Sequence, residues 1–208
     1  MTEANALLLD YGGVVADHYC EPATSQLALA LGVDQSEIES LISERTEYGA
    51  ALRLNHIGPE QFWSRVMEVG MRKRAGALDW RNAHRLWAES YIPNGAVLEL
   101  MWSARVKSKW KVGILSNMDE ARFQHVWELI DWSRYCDLFL CSWEIGILKP
   151  NHKFYRIAID RLSPGMSPDK VLYVDDRFEH VAAASGVGCQ GYVFDSAEGL
   201  RGALAAHE

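Results

Sequence analysis

Short apolar runs alternate with amphipathic segments along most of this chain, and no other feature restricts the fold as much. The runs are ALLL at 6–9, KVGILS at 111–116, DLFLC at 137–141, KVLYV at 170–174 and GYVF at 191–194. Each spans four to six residues and is bounded by Gly, Asp, Asn or Ser. Uninterrupted apolar runs of that length suit strands covered on both faces, as in a parallel sheet. Apolar residues recur at helical spacing over 94–107, 119–130, 151–162, 177–186 and 196–206. This alternation predicts an α/β fold, a Rossmann-like, doubly wound parallel sheet flanked by helices.

The alternation breaks over residues 17–91, which show no strand pattern. Helical spacing there predicts helices near 22–31, 34–52, 59–69 and 78–89, separated by Gly32, by Asn55–Pro59 and by Gly70–Gly76. Leu27, Leu31, Ile38, Leu41, Ile42, Phe62, Val66, Val69, Leu86 and Trp87 supply the apolar positions. The segment reads as a small helical bundle inserted after the first strand. Repeats, low-complexity tracts and long linkers are lacking.

Charge narrows the partners. The 208-residue chain carries a net charge of −7, so nucleic acid and anionic membranes would repel it. Phosphate, if bound, must meet a local cation or a metal. The N-terminal stretch has no basic region and only a four-residue apolar run at 6–9, so no signal peptide or membrane span is expected, and the cytoplasm is the expected compartment. Cys20, Cys136, Cys141 and Cys189 lie scattered, without metal-ligand spacing, and suit reduced, buried thiols. The eight tryptophans suit core filling, with Trp63 and Trp87 the first suspects for an aromatic-lined pocket.

Chemistry concentrates at strand ends, where open α/β sheets bind ligands. The first strand ends in Asp10, followed by Tyr11, Gly12 and Gly13. The strand at 111–115 ends in Ser116 and Asn117, Lys149 follows the run at 137–141, and the run at 170–174 leads into Asp175 and Asp176. Three carboxylates in one cleft repel each other unless a cation neutralises them, and an all-oxygen donor set suits Mg²⁺. A lysine and a hydroxyl beside it would hold phosphate oxygens. Together these groups are what an aspartyl-phosphate mechanism requires: Asp10 as nucleophile, Ser116 and Lys149 holding the transferring group.

In that order, LLLDYGGVV, ILSN, GILKPNHKFY and LYVDDRFEHVAAASGVG resemble the four motifs of the haloacid dehalogenase-like hydrolase superfamily. The DYGGVV and LKP-x-x-x-x-Y phrasing is most similar to small bacterial sugar-phosphate phosphatases and to the N-terminal phosphatase domain of soluble epoxide hydrolase. The resemblance implies a Rossmann-like core over 1–15 and 92–208 and an all-helical C1-type cap over 16–91. It implies Asp10 as nucleophile and metal ligand, the Gly12 carbonyl as metal ligand, Ser116 and Lys149 as the phosphate-binding pair, and Asp176 as the direct metal carboxylate beside Asp175. Mg²⁺ is the implied cofactor and a small phosphorylated metabolite the implied substrate, in a monomer or homodimer.

Two positions depart from the pattern. Family phosphatases usually carry a second Asp two residues after the nucleophile, as general acid and base, and this chain has Gly12 there. The position four residues after the acidic motif, often Asn or Asp, is His180. Candidate replacements are Asp17, His18 and His180, with Glu47, Arg53 and His56 in the helical insert. Tyr48, Arg53, Asn55 and His56 are candidate substrate contacts, with Asn117 at the phosphate. Two other functions stay open: attack at carbon, as in 2-haloacid dehalogenases, which also lack the second Asp and need no metal, and phosphate binding by a low-activity or regulatory relative.

Overall fold

The computed structural model describes residues 5–18, 20–71 and 79–207. Five parallel strands form the central sheet: β1 (Ala6–Asp10), β4 (Lys111–Ser116), β5 (Leu138–Cys141), β6 (Val171–Asp175) and β7 (Gln190–Val193). Their order is β5-β4-β1-β6-β7, the Rossmann-like parallel arrangement that the alternation predicts. The chain winds outward from β1 through β4 to β5, then crosses back to β6 and β7. The direction of winding thus reverses beside β1, which places a crevice at the carboxyl ends of β4, β1 and β6. In register, Asp10 lies opposite Leu115, and Ser116 opposite Cys141.

All five residues of β1 are buried. Leu7 and Leu9 face one apolar core with Val112, Ile114, Leu172 and Val174, which the helices α6 (Gly95–Val106) and α11 (Ala197–Ala205) cover through Val97, Met101 and Leu200. Ala6 and Leu8 face the other core with Leu115 and Tyr173, covered by α9 (His152–Leu162) and α10 (Phe178–Ser185) through Phe154, Ile159 and Val181. Strand periodicity separates the two sets, because successive side chains leave opposite faces. Gly113 lets Leu8 approach: a Cβ there would lie 2.7 Å from Leu8 Cδ2.

The inserted segment folds into α1 (Cys20–Leu31), α2 (Gln35–Ile42), α3 (Glu47–Arg53), α4 (Pro59–Met71) and α5 (Trp80–Ala88). These share a third core of Leu27, Leu31, Ile38, Leu52, Phe62, Trp63, Val66 and Trp87. Two details differ from the sequence reading. The helix expected over 34–52 is two helices, α2 and α3, with a turn at 43–46 where Thr46 caps α3 by accepting from the Gly49 amide. The segment expected to lack strands contributes to a ribbon: β2 (Ala16–His18) pairs antiparallel with β3 (Tyr91–Pro93) where the chain leaves and rejoins the sheet. Three residues are too few for alternation to register in sequence. The break expected over Gly70–Gly76 lies mostly outside the described residues.

Between β5 and α9 the chain forms a short helix, α8 (Ser142–Ile145), and then the loop bearing Lys149. A further helix, α7 (Glu120–Leu129), follows β4 and is capped by Asp119, which accepts from the Arg122 amide. Cys136, Cys141 and Cys189 are buried free thiols. Among the described residues no helix is long and apolar enough to cross a membrane.

Candidate active site at the carboxyl rim of the sheet

A cavity of about 180 Å³ opens at the carboxyl ends of β1, β4 and β6, against the α1–α5 helical layer. Asp10, Gly12, Ser116, Asn117, Lys149 and Asp176 line it, so residues scattered across the sequence meet in one place. Arg53 and His180 line it as well.

Lys149 organises the floor. Its fully buried ammonium lies 2.7 Å from Asp10 Oδ1 and 3.0 Å from Asp175 Oδ2, and donates to the Leu115 carbonyl at 3.2 Å. Asn117 anchors the same loop. Its Oδ1 accepts from the Lys149 amide at 2.8 Å and its Nδ2 donates to the Lys149 carbonyl at 3.0 Å. Asp10 Oδ1 also accepts from the Tyr11 amide at 2.7 Å.

The two buried carboxylates differ in kind. Asp175 is tied to Lys149, to the Tyr173 hydroxyl, to His180 Nδ1 at 3.0 Å and to the Arg177 amide at 3.0 Å. Burial alone would raise its pKa, but Lys149, then His180 and Tyr173, outweigh that and hold the carboxyl far below the usual range. Burial, followed by the Asp175 charge, lifts the Asp10 carboxyl well above the usual range, and Lys149 only partly offsets this. Burial also lowers Lys149, but Asp10 and Asp175 outweigh it and keep the ammonium charged. One ammonium therefore faces more negative charge than it can neutralise, since Asp176 also raises Asp10.

That surplus is what a divalent cation would relieve. Among the described residues, donor atoms of Asp10, Asp175 and His180 lie within 4.8 Å of one another, a cluster able to hold a metal ion. Two of these three already share the Lys149 ammonium, whereas Asp10, Gly12 and Asp176 line the open cavity and can offer an all-oxygen set. A hard cation such as Mg²⁺ fits the all-oxygen set better than the histidine-containing one.

Other expected residues lie elsewhere. Tyr48 and His56 are exposed and do not line the cavity, because α3 turns Gly49, Leu52 and Arg53 inward. Tyr48 instead lies under the Arg65 guanidinium, 5.9 Å from its ring centre. Asn55 is exposed beside Glu120, and Glu47 is exposed in the first turn of α3. Asp17 is exposed on β2 and accepts from Asn94 Nδ2 at 3.1 Å; the side chain of His18 lies outside the described residues. Trp63 and Trp87 are buried in the helical core, as filling rather than cavity wall. Glu44, Tyr91, Arg122 and Arg177 line the cavity without having been singled out in sequence. Arg177 follows the Asp175–Asp176 pair directly, and Arg122 stands three residues after the Asp119 cap. Both spacings were legible signals, whereas nothing local marked Glu44.

Residues 4–188 match the family profile described as haloacid dehalogenase-like hydrolase. Among solved structures, the chain is similar to a HAD family enzyme of Bacteroides thetaiotaomicron in complex with magnesium and inorganic phosphate, at 18% identity and TM-score 0.70 over 92% of this chain and 94% of that one. A HAD-like family hydrolase from Porphyromonas gingivalis aligns at 18% identity and TM-score 0.72, over 99% and 98% of the two chains. A dehalogenase with an intermediate complex aligns at 18% and TM-score 0.72, over 99% of each. Likeness at these identities speaks for the fold, and the profile match, across most of the sequence, speaks for descent. The chain belongs to the haloacid dehalogenase-like hydrolase family.

Proposed function

We propose that this hydrolase removes phosphate from a small phosphorylated metabolite through a covalent intermediate on Asp10, with Mg²⁺ as cofactor. Asp10, the Gly12 carbonyl and Asp176 would hold the ion, with Asp175 tied behind them by Lys149 and His180. When bound, Mg²⁺ supplies positive charge that lets the Asp10 carboxylate approach an anionic phosphoryl group. The helical layer acts as the cap that closes over the substrate.

The steps follow from the residues. Asp10 attacks phosphorus, and the bond to the leaving oxygen breaks. Lys149 and Ser116 hold the phosphoryl oxygens in line. The departing alkoxide takes its proton from water, because Gly12 offers no acid. A water then attacks the phosphoryl group, and the Asp10–phosphorus bond breaks to return the carboxylate and release inorganic phosphate.

The observation that carries the reading is the surplus of carboxylates around one buried ammonium, with Asp176 open to the cavity. Attack at carbon needs no such surplus. The likeness to a dehalogenase, together with Gly12 and the Asp10–Lys149 contact, favours a second reading in which Asp10 displaces halide from a 2-haloacid. Phosphate release from a panel of sugar phosphates, nucleotides and an aryl phosphate, with Mg²⁺ and with EDTA, tests the first. EDTA-sensitive release is expected. Halide release from a 2-haloacid that persists in EDTA would replace it with the second. Failure of both, with no Mg²⁺ binding by calorimetry, would leave a non-catalytic relative.

A further inference from the structure

Among the described residues, the helical layer contributes two side chains to the cavity wall, Glu44 and Arg53. Glu44 sits in the turn between α2 and α3 and is held from both sides. On the sheet side, Asn117 Nδ2 donates to Oε2 at 2.9 Å and Arg177 Nη1 donates to Oε1. On the helical side, Arg53 Nε lies 3.8 Å from Oε2. Arg53 is itself fixed, donating from Nη1 to the Ile42 carbonyl at 3.0 Å and the Gly49 carbonyl at 2.9 Å, on either side of the turn. The turn closes tightly: a Cβ on Gly49 would lie 1.9 Å from the Ser43 carbonyl oxygen. Burial raises the Glu44 pKa, but Arg53, then Asn117 and Arg177, outweigh it and hold the carboxyl below its usual value. An ionised carboxylate is thus fixed in the wall of the phosphate cavity.

Three arginines share that wall, yet they do not make a second anion site. Arg53 and Arg177 are paired with Glu44, and Arg177 also with Glu179 at 2.6 Å. Arg122 lies 3.9 Å from the Trp87 ring centre and 4.0 Å from Asp119 Oδ2. An anionic substrate group entering here meets Glu44 against guanidiniums that each already face a carboxylate, whereas a hydroxyl can donate to its spare lone pairs.

We infer that Glu44 sets the substrate class: phosphomonoesters whose alcohol portion is uncharged and hydroxylated, with those bearing a second anionic group rejected. The inference rests on the phosphatase reading and deepens it. Repulsion by a fixed carboxylate in a half-buried cleft is expected to give about tenfold discrimination or more.

Glycerol 3-phosphate and 3-phosphoglycerate test it, since both release a primary alcohol and differ by a carboxylate. In the wild-type protein with Mg²⁺, kcat/KM should favour glycerol 3-phosphate by at least about fivefold. Glu44→Gln should narrow that ratio by raising the rate on 3-phosphoglycerate. A merely structural role would lower both rates together. A smaller or inverted wild-type ratio overturns the inference, as does an unchanged ratio in a folded Glu44→Gln. If the variant does not fold, the wild-type ratio decides. If neither ester is hydrolysed, calorimetric affinities of the wild-type protein for the two esters, judged by the same threshold, decide the selectivity, and the phosphatase reading is decided separately by the wider substrate panel.

Discussion

Asn117 and Lys149 grip each other twice, side-chain amide against main chain, across the gap between the end of β4 and the loop after α8. The pair does for that loop what a ladder does for a strand: it fixes the register of the lysine relative to the sheet. Asn117→Ala removes both bonds and strands buried main-chain groups. A loss of about 1–3 kcal/mol in urea denaturation is expected, along with weaker turnover. Unchanged stability would mean that the loop is held by other means.

Lys149 pairs with Asp10 and Asp175 at once, so its loss should be felt in the fold as well as in the chemistry. Lys149→Met leaves two buried carboxylates without their shared cation. Breaking a buried pair costs about 3–5 kcal/mol. Asp10→Asn relieves negative charge instead. It should keep the fold by circular dichroism while lowering phosphate release more than about 10³-fold; normal activity in that variant would end the covalent mechanism.

Adjacent in sequence, Asp175 and Asp176 should behave differently. Asp175→Asn breaks contacts with Lys149, His180 and Tyr173 and should appear first as lost stability. Asp176→Asn should appear first as weaker Mg²⁺ binding by calorimetry, by at least about tenfold. The reverse pattern would exchange their roles.

The absence of an acid at position 12 should show in the leaving group. A positioned general acid contributes about 10²–10⁴-fold, and it matters most for poorly stabilised alkoxides. Rates across a series of aryl and alkyl phosphates should therefore fall steeply as leaving-group pKa rises. A flat dependence would reveal an acid elsewhere in the cavity.

Far from the cavity, Asp137 ties the start of β4 to α6. It accepts from the Val112 amide at 3.0 Å and from Arg105 at 3.0 Å. Burial raises its pKa, but Arg105 and the Val112 amide prevail and lower it. A carboxyl depressed on folding stabilises above its unfolded pKa of about 3.9 and loses that contribution as pH falls through the folded value. Asp137→Asn should cost about 1–2 kcal/mol at neutral pH, and the gap to wild type should close in acid. Parallel urea curves at pH 7 and pH 3 would check the sign.

The sheet was legible because its strands are buried on both faces and so appear as apolar runs without interruption. The motif residues were legible because parallel strands all present their carboxyl ends to one rim: once 6–9, 111–116 and 170–174 are strands, Asp10, Ser116, Asp175 and Asp176 must share an edge. The β2–β3 ribbon was hidden, since three residues do not establish a period, and the turn at 43–46 was hidden because the apolar positions of α2 and α3 keep one helical phase across it.

By itself, the sequence determined the α/β class, the sheet's strands and the residues that reach its carboxyl rim, because backbone periodicity and strand direction are local properties. Only the tertiary structure decided that Asp175 is held inward by Lys149 and His180, that Tyr48 and His56 stay outside, and that Glu44 enters the cavity. Each depends on where the helical layer and the sheet meet, and contacts between groups more than a hundred residues apart, such as Glu44 with Arg177, leave no periodic trace in a chain.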